Sequence, residues 1–534
     1  VLKSFVEWNL QKKEHFNQSM LIFVGGASEV QVREALKALV GHHDMLRAVY
    51  QNGKLVIRSM EEAKSSEQLY KMEVCDYGIQ TQEEMYRICE EQQASMDLLH
   101  GPMVHAVYFQ NEKNFGGACT DKKAKQKENF VLLIVHHLVV DGVSFSILAQ
   151  DLKTACNQLE DGKEIVLPKK TASYQQWASV LSGVCKENAK KDKPYWIQMI
   201  KQLESVQYDQ INKCETMETG NQTICFSLEE ELTAKLLKSA NRPYGTKPEE
   251  LLISGFIKAV CQTFHSKKTG IWMEGHGREE LQEGLATDRT VGWFTTLYPL
   301  VFETGENLED CIISTKDTMR KVPSCGRSFG LLNESRIAEQ LVLSFNYHGK
   351  VTDEYNPHHL PAGQMIAREN KLPWDISMNG AVQNGKLVYT VIYNQMLLSK
   401  NQINEFIEQY KKVLQEISRH CCTAAQVTKT VSDFTANDLK REELVQIEKA
   451  LGTANVTDIY GLTSMQEGML LSCQVQEDTQ NYVIQAVYEL QGQVDANYLK
   501  EAFSLMIEKH PVLTTAIFYN NMPRPLQVTS TGRP

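Results

Sequence analysis

The chain has 534 residues, 42% of them hydrophobic and 23% charged, with a formal net charge of −10. Hydrophobic cores stop growing near about 250–300 residues, so this ordinary globular composition implies two or three lobes. The acidic balance excludes a general nucleic-acid binder, and no apolar stretch reaches the roughly 18 residues that suggest a membrane span.

In chain order, Ser19–Val24 reads as a strand, and Ser28-Glu29-Val30-Gln31 fits a capping box. The helix it opens would place Val32, Ala35, Leu36, Leu39 and Val40 on one face. Lys122, Lys123, Lys125 and Lys127 fall in a Gly- and Lys-rich stretch, 111–129, expected to be a solvated loop. A β-branched run from Val131 reads as a buried strand that ends in His136-His137. Asp141 and Gly142 follow, then a helix from about Val143 with Ile147, Leu148, Leu152 and Ala155 on one face. Pro194-Tyr195-Trp196, after the Lys-rich Lys186–Lys193, reads as a crossover between lobes. Helices are expected at Ser227–Ala240, Pro248–Phe264 and Ser399–His420, and strands at Gly270–Met273, Leu341–Tyr347 and Leu387–Asn394. Strands and helices mixed in this way argue for α/β or α+β lobes.

A long-range repeat organises the chain. An amphipathic helix leads into Val40–Tyr50 around His43, and another leads into Ile507–Phe518 around His510, 467 residues later. The strand Ser19–Val24 has a counterpart in kind at Val483–Leu490. So long a period means tandem domains of one family. The second copy stops before its own double histidine and should carry no active site. Between the copies, the polar stretch Ala424–Val456, weakly helical over Asp438–Leu451, reads as an interdomain linker.

Three segments carry chemistry. A strand that delivers His137 to a turn holds an imidazole, able to take and give a proton near neutral pH, on a rigid support. Trp272-Met273-Glu274-Gly275-His276-Gly277-Arg278-Glu279 runs a carboxylate into glycines that permit close backbone approach. Thr287–Pro299 adds Trp293, Phe294 and Tyr298.

In this order the segments resemble the condensation superfamily of nonribosomal peptide synthetases, and specifically its epimerization domains, over roughly residues 1–420. His136 to Gly142 fits the superfamily's HHxxxDG motif. Glu274–Glu279 and the Thr290–Thr295 run ending in Tyr298-Pro299 match the epimerization signature, and Ser344–Gly349 is similar to its FNYLG segment. Asp458–Leu470 resembles the opening of a condensation domain. The chain departs at Phe145, where the family has Trp, and at Gly326-Arg327-Ser328-Phe329-Gly330, which lacks a glycine and a tyrosine of the family's glycine-rich segment.

The resemblance implies a chloramphenicol-acetyltransferase-like fold of the α/β (α+β) class, a pseudo-dimer of mixed-sheet lobes with a central tunnel. Its parts would be an N-terminal lobe 1–185, a C-terminal lobe 186–422, a linker 423–456 and a truncated condensation domain 457–534. His137 and Glu274 would exchange protons with an α-carbon, Glu274 acting as a base only if burial raises it towards roughly 6–7. His136 and Gly142 would support the turn. Asp141 would pair with an arginine, Arg47 being the first candidate and Arg278 the second. Asn346 and Tyr347 would bind substrate.

No cofactor or metal is expected on the chain itself, since the substrate would arrive on the phosphopantetheine arm of an upstream peptidyl carrier domain. A condensation domain would follow, with no nucleic-acid or membrane partner. Val24–Ser28 superficially matches the carrier attachment motif GGxS, but Ser28 is explained as a helix cap. No P-loop points to ATP chemistry. The thirteen cysteines, with no CxxC pair and no metal-like spacing to histidine, fit a cytoplasmic chain with reduced thiols. The N-terminus lacks signal-peptide character and an initial Met, as expected of a mature product or an excised piece. An amide-forming condensation domain and a non-catalytic docking module are the alternatives.

Overall fold

The computed structural model describes residues 2–8, 10–62, 65–111, 128–208, 220–332, 341–350, 360–436, 438–452, 456–475 and 482–531. The lysines at 122–127 lie outside them. The chain opens with α1 (Leu2–Glu7), β1 (Asn17–Phe23) and α2 (Glu29–His42). Ser28 and Gln31 complete the capping box of α2, and Val32, Ala35, Leu36, Leu39 and Val40 are its buried face. A hairpin of β2 (Ala48–Gln51) and β3 (Lys54–Ile57) precedes β4 (Lys71–Asp76), α3 (Gln82–Ala94), β5 (Val104–Gln110) and β6 (Phe130–His136).

Strands β1, β4, β5 and β6 form a four-stranded sheet in the order β1-β6-β5-β4. All seven residues of β6 are buried. The strand is internal to the sheet and alternates its side chains between two cores. Val131, Leu133 and Val135 join the core that holds the apolar face of α2, while Phe130, Leu132 and Ile134 join a second one with Met85 and Cys89 of α3.

Helix α4 (Gly142–Glu160) packs on α2. The stretch expected as a crossover is helical: Pro194 lies inside one 31-residue helix, α5 (Tyr174–Glu204), started by a capping box of Ser173 and Gln176. Burial of Trp196, Met199, Ile200 and Leu203 just beyond the proline outweighs the hydrogen bond it removes.

The chain continues through β7 (Asn221–Ser227), α6 (Glu230–Leu237), α7 (Pro248–Thr263), β8 (Lys268–Gly275), β9 (Thr296–Glu303) and α8 (Leu308–Arg320). Then come β10 (Leu343–Lys350), β11 (Ile376–Gln383), β12 (Lys386–Asn394) and α9 (Lys400–Thr423). The strands make a mixed six-stranded sheet, β7-β12-β11-β10-β8-β9, in which β10 runs parallel to both β8 and β11. The stripe expected on α9, from Ile403 to Ile417, is buried.

Backbone contacts divide the chain into two compact units. One comprises Val1–Thr233, Val260–Val301 and Val322–Gln409, the other Ala234–Ala259, Phe302–Lys321 and Tyr410–Pro534. The second contains α10 (Arg441–Leu451), β13 (Val456–Gly461), α11 (Ser464–Val475), α12 (Ala496–Lys509), β14 (Ala516–Phe518) and β15 (Leu526–Ser530). The stretch read as a linker carries structure there: Val431, Phe434, Leu439, Leu444 and Ile447 share a core with Val456, Ile459, Leu526 and Val528.

The repeat holds element by element. Helix α2, the 3₁₀ turn Asp44–Arg47 and β2 correspond to α12, the 3₁₀ turn Pro511–Thr514 and β14. Val483–Leu490 forms no strand, however. Its counterpart β1 pairs with β6, whereas Val483–Leu490 pairs with no strand among the described residues. Likewise Leu499, Phe503, Met506 and Ile507 are exposed where Val32, Leu36, Leu39 and Val40 are buried. No helix among the described residues is long and apolar enough to cross a membrane.

Candidate active site

Strand β6 ends at His136, and the chain turns through a short 3₁₀ segment, His137–Val139, before Asp141 caps α4. His136 is structural. It is fully buried, its Nε2 meets the Lys13 carbonyl at 2.8 Å and its Nδ1 accepts from the Leu138 amide at 3.2 Å. Burial pushes its pKa down to about 3 from the ordinary 6.5. The folded ring stays neutral where the unfolded chain takes up a proton, so stability is lost as pH falls below 6.5 and the loss levels off near 3. His136→Gln should therefore show a shallower fall in melting temperature between pH 7 and 4 than the parent, as read by calorimetry.

His137 faces a cavity of about 910 Å³. Its amide donates to the Phe16 carbonyl (3.0 Å), and Gln18 Nε2 lies 2.9 Å from the ring Nε2. The imidazole stacks on Phe16, with centroids 5.3 Å apart, and lies 4.3 Å from the Trp293 ring. Burial lowers its pKa, opposed by nearby carbonyls and by the charge of Asp141. It is therefore a neutral ring near pH 7, able to accept a proton.

Asp141 joins segments remote in sequence. Its carboxylate accepts from the Ser144 amide (2.8 Å), the Phe294 amide (3.0 Å) and Arg278 Nη2 (3.0 Å). Arg278 in turn donates to Ser144 Oγ and to the carbonyls of Thr287 and Thr290, and stands 3.9 Å over the Phe294 ring. Arg47, the first-choice partner, is elsewhere. It donates to the carbonyls of Val40, Gly41 and Arg58 and pairs with Asp44. Two of those acceptors, Val40 and Gly41, close the C-terminus of its own preceding helix, which a cation stabilises locally. Gly142 lines the cavity, and a Cβ there would meet nothing within 4 Å.

Glu274 lies near the end of β8 and lines the same cavity as His137. Burial raises its pKa, and a hydrogen bond from Asn346 pulls the other way. The glycines after it have a steric reason. Gly277 has φ +67° and would bring a Cβ to 1.9 Å from the Phe294 carbonyl oxygen, so only glycine lets Arg278 reach Asp141 along this path.

Ser344 pairs with Trp272, so two residues further on Asn346 sits beside Glu274, and its Nδ2 donates to Asn379 Oδ1 of β11 at 3.2 Å. Tyr347 corrects the other substrate-binding expectation: Asn346 and His348 line the cavity and Tyr347 does not. Alternate residues of a strand point to opposite faces.

Sequence reasoning also missed Gln18, Asn379, His348 and the aromatic residues Trp8, Phe16 and Trp374, all of which line the cavity. Gln18 was within reach, because β1 pairs antiparallel with β6 and brings it opposite Val135. Phe145 and Arg327, at the two departures from the family pattern, line the cavity as well. Arg327 is neutralised by Glu279 at 3.1 Å. Away from the cavity, His42, His43 and Asp151 converge closely enough to hold an ion, but Asp151 already accepts from His43 (2.9 Å) and Arg289 (2.5 Å).

A family model described as Condensation domain matches residues 4–440 and 456–534. Bacitracin synthase 3 of Bacillus licheniformis is 29% identical over 544 residues, covering 98% of this chain and 8% of the relative. Bacitracin synthase 1 of the same organism is 30% identical over 554 residues, covering 100% of this chain and 10% of the relative. The chain thus spans a small part of the length of these relatives. Among solved structures, the epimerization domain from the third module of tyrocidine synthetase B is similar with a TM-score of 0.68 at 28% identity, over 79% of this chain and 95% of that one. The first condensation domain of the calcium-dependent antibiotic synthetase, at 14% identity and a TM-score of 0.58 over 80% of this chain and 95% of that one, shares the fold.

Proposed function

This chain belongs to the condensation-domain family, and from that premise we propose that it inverts the α-carbon of an aminoacyl or peptidyl thioester. The observation that carries the reading is one cavity holding both a neutral imidazole, His137, and a carboxyl raised by burial, Glu274. Likeness to an epimerization domain supports it.

Inversion breaks the Cα–H bond, leaves the electron pair as an enolate on the thioester carbonyl, and returns a proton to the opposite face. Two proton carriers meet that need, and Asn346 and Gln18 offer hydrogen-bond donors to polar groups of the substrate. Asp141 and Arg278 hold the turn that presents His137 and act as positioning residues. The chain itself holds no cofactor in this reading. The thioester arrives on the phosphopantetheine arm of an upstream carrier domain, and a condensation domain downstream takes the product.

The test is a carrier domain loaded with an L-aminoacyl or peptidyl thioester, incubated with the protein in D₂O. Deuterium at the α-carbon with loss of chirality is the expected result. Amide formation with an added acceptor thioester, without exchange, overturns the proposal in favour of a condensation reaction.

A further inference from the structure

Apart from Gln18, which meets its Nε2, the side chains packed on the His137 ring are aromatic. Phe16 and Trp293 flank the imidazole at 5.3 and 4.3 Å. Trp8 continues the wall, 5.8 Å from Phe16 and 6.1 Å from Trp293, and Trp374 extends it, 6.5 Å from Trp8. Trp8 and Trp374 remain partly exposed, and both line the cavity. Besides Asn17, Gln18 and Ser19 of β1, polar groups line neighbouring strands of the six-stranded sheet, where Glu274, Asn346 and Asn379 stand side by side.

Charge is scarce. Among the described residues, Arg327 is the cation on the wall besides the histidines, and Glu279 already neutralises it. An anionic substituent brought against the aromatic wall would lose its hydration without gaining a counter-ion, which costs far more than burying a hydrocarbon, while a cationic one would recover part of that cost from the ring faces. A large apolar side chain would instead gain the contact area that three indoles and a phenyl ring offer.

We infer that the residue whose α-carbon is inverted carries a bulky apolar side chain, aromatic or branched aliphatic, seated on the wall formed by Phe16, Trp293, Trp8 and Trp374. The inference rests on the proposed epimerization, because an α-carbon that reaches His137 has its substituent beside that wall. Trp374, at the far end from His137, sets the preference for size.

The experiment measures binding apart from turnover. Pantetheine amides of phenylalanine, leucine, aspartate and lysine replace the thioesters, and their affinities for the full chain are read by calorimetry. Phenylalanine and leucine amides should bind at least tenfold more tightly than the charged pair. Trp374→Ala, checked for an unchanged melting temperature, should weaken the phenylalanine amide about tenfold and the aspartate amide little. Equal affinities across the four amides, or tighter binding of a charged one, overturn the inference without needing any variant. Apolar preference without deuterium exchange of the matching carrier thioester removes the epimerization reading and leaves only an apolar acyl-binding site in place of the inference; exchange without preference keeps the epimerization reading and overturns the inference.

Discussion

Replacing Glu274 with glutamine should lower α-proton exchange by about 10²–10⁴-fold, the usual contribution of one positioned proton carrier, without unfolding the protein. The amide keeps the shape of the carboxyl and still accepts from Asn346, but it takes up no proton. Its effect on stability has a definite sign. Burial raises the Glu274 pKa, so the folded chain resists ionisation at this position. The unfolded chain ionises near its ordinary value, and the fold is penalised as pH rises through that value and on to the raised one. Glu274→Gln removes the penalty, so its melting temperature relative to the parent should be higher at pH 8 than at pH 4. A proton carrier held at such a cost is the familiar trade of stability for activity. In the parent, the exchange rate should climb with pH through the raised pKa, and the variant should lack that limb. Unchanged exchange in Glu274→Gln would assign the proton transfers to His137 alone.

Asp141→Ala should cost about 3–5 kcal/mol of stability, as when one partner of a buried ion pair is removed. The side chains of Asp141 and Arg278 are 5% and 7% exposed, so the guanidinium would be left charged and out of reach of water. The amides of Ser144 and Phe294 lose their acceptor as well. A double variant, Asp141→Ala with Arg278→Leu, should lose less than the sum of the two single changes, because neither partner is then stranded. Since Asp141 touches no substrate in this arrangement, the residual exchange activity should fall in kcat with KM little changed. Chemical unfolding of the three variants checks the first claim, and a loss below about 1 kcal/mol for Asp141→Ala contradicts the buried pair.

Local signals were readable before the fold was seen. Ser28 and Gln31 cap α2 as their spacing says, the apolar stripes of α2 and α9 are buried, and β6 is the buried strand that its composition demands. The helix through Pro194 was not legible because proline and lysine describe local preference, while Trp196 and Leu203 decide the helix by what they bury. Pairing across the chain was the harder part. Arg47 and Arg278 are equal candidates for Asp141 on charge alone, and only the path of Gly277 against Phe294 brings the second one in. Tyr347 was placed on the wrong side of a strand whose type was right, since parity cannot be set until one residue's facing is known. Of the aromatic wall only Trp293 stood out in the sequence, because Trp8 and Phe16 near the N-terminus and Trp374 come from segments that meet it only in the fold.

Asp141 meets Arg278 and Phe294 across separations of 137 and 153 residues. A ribosome adding about 5–20 residues per second needs roughly 7–30 s to make that stretch. Throughout that interval Asp141 has the Ser144 amide but not its guanidinium, and the rest of its carboxylate must stay hydrated or find a temporary companion. The carboxylate thus reaches its native partners only after more than half of the chain has been made, and chaperones have that long to act on it.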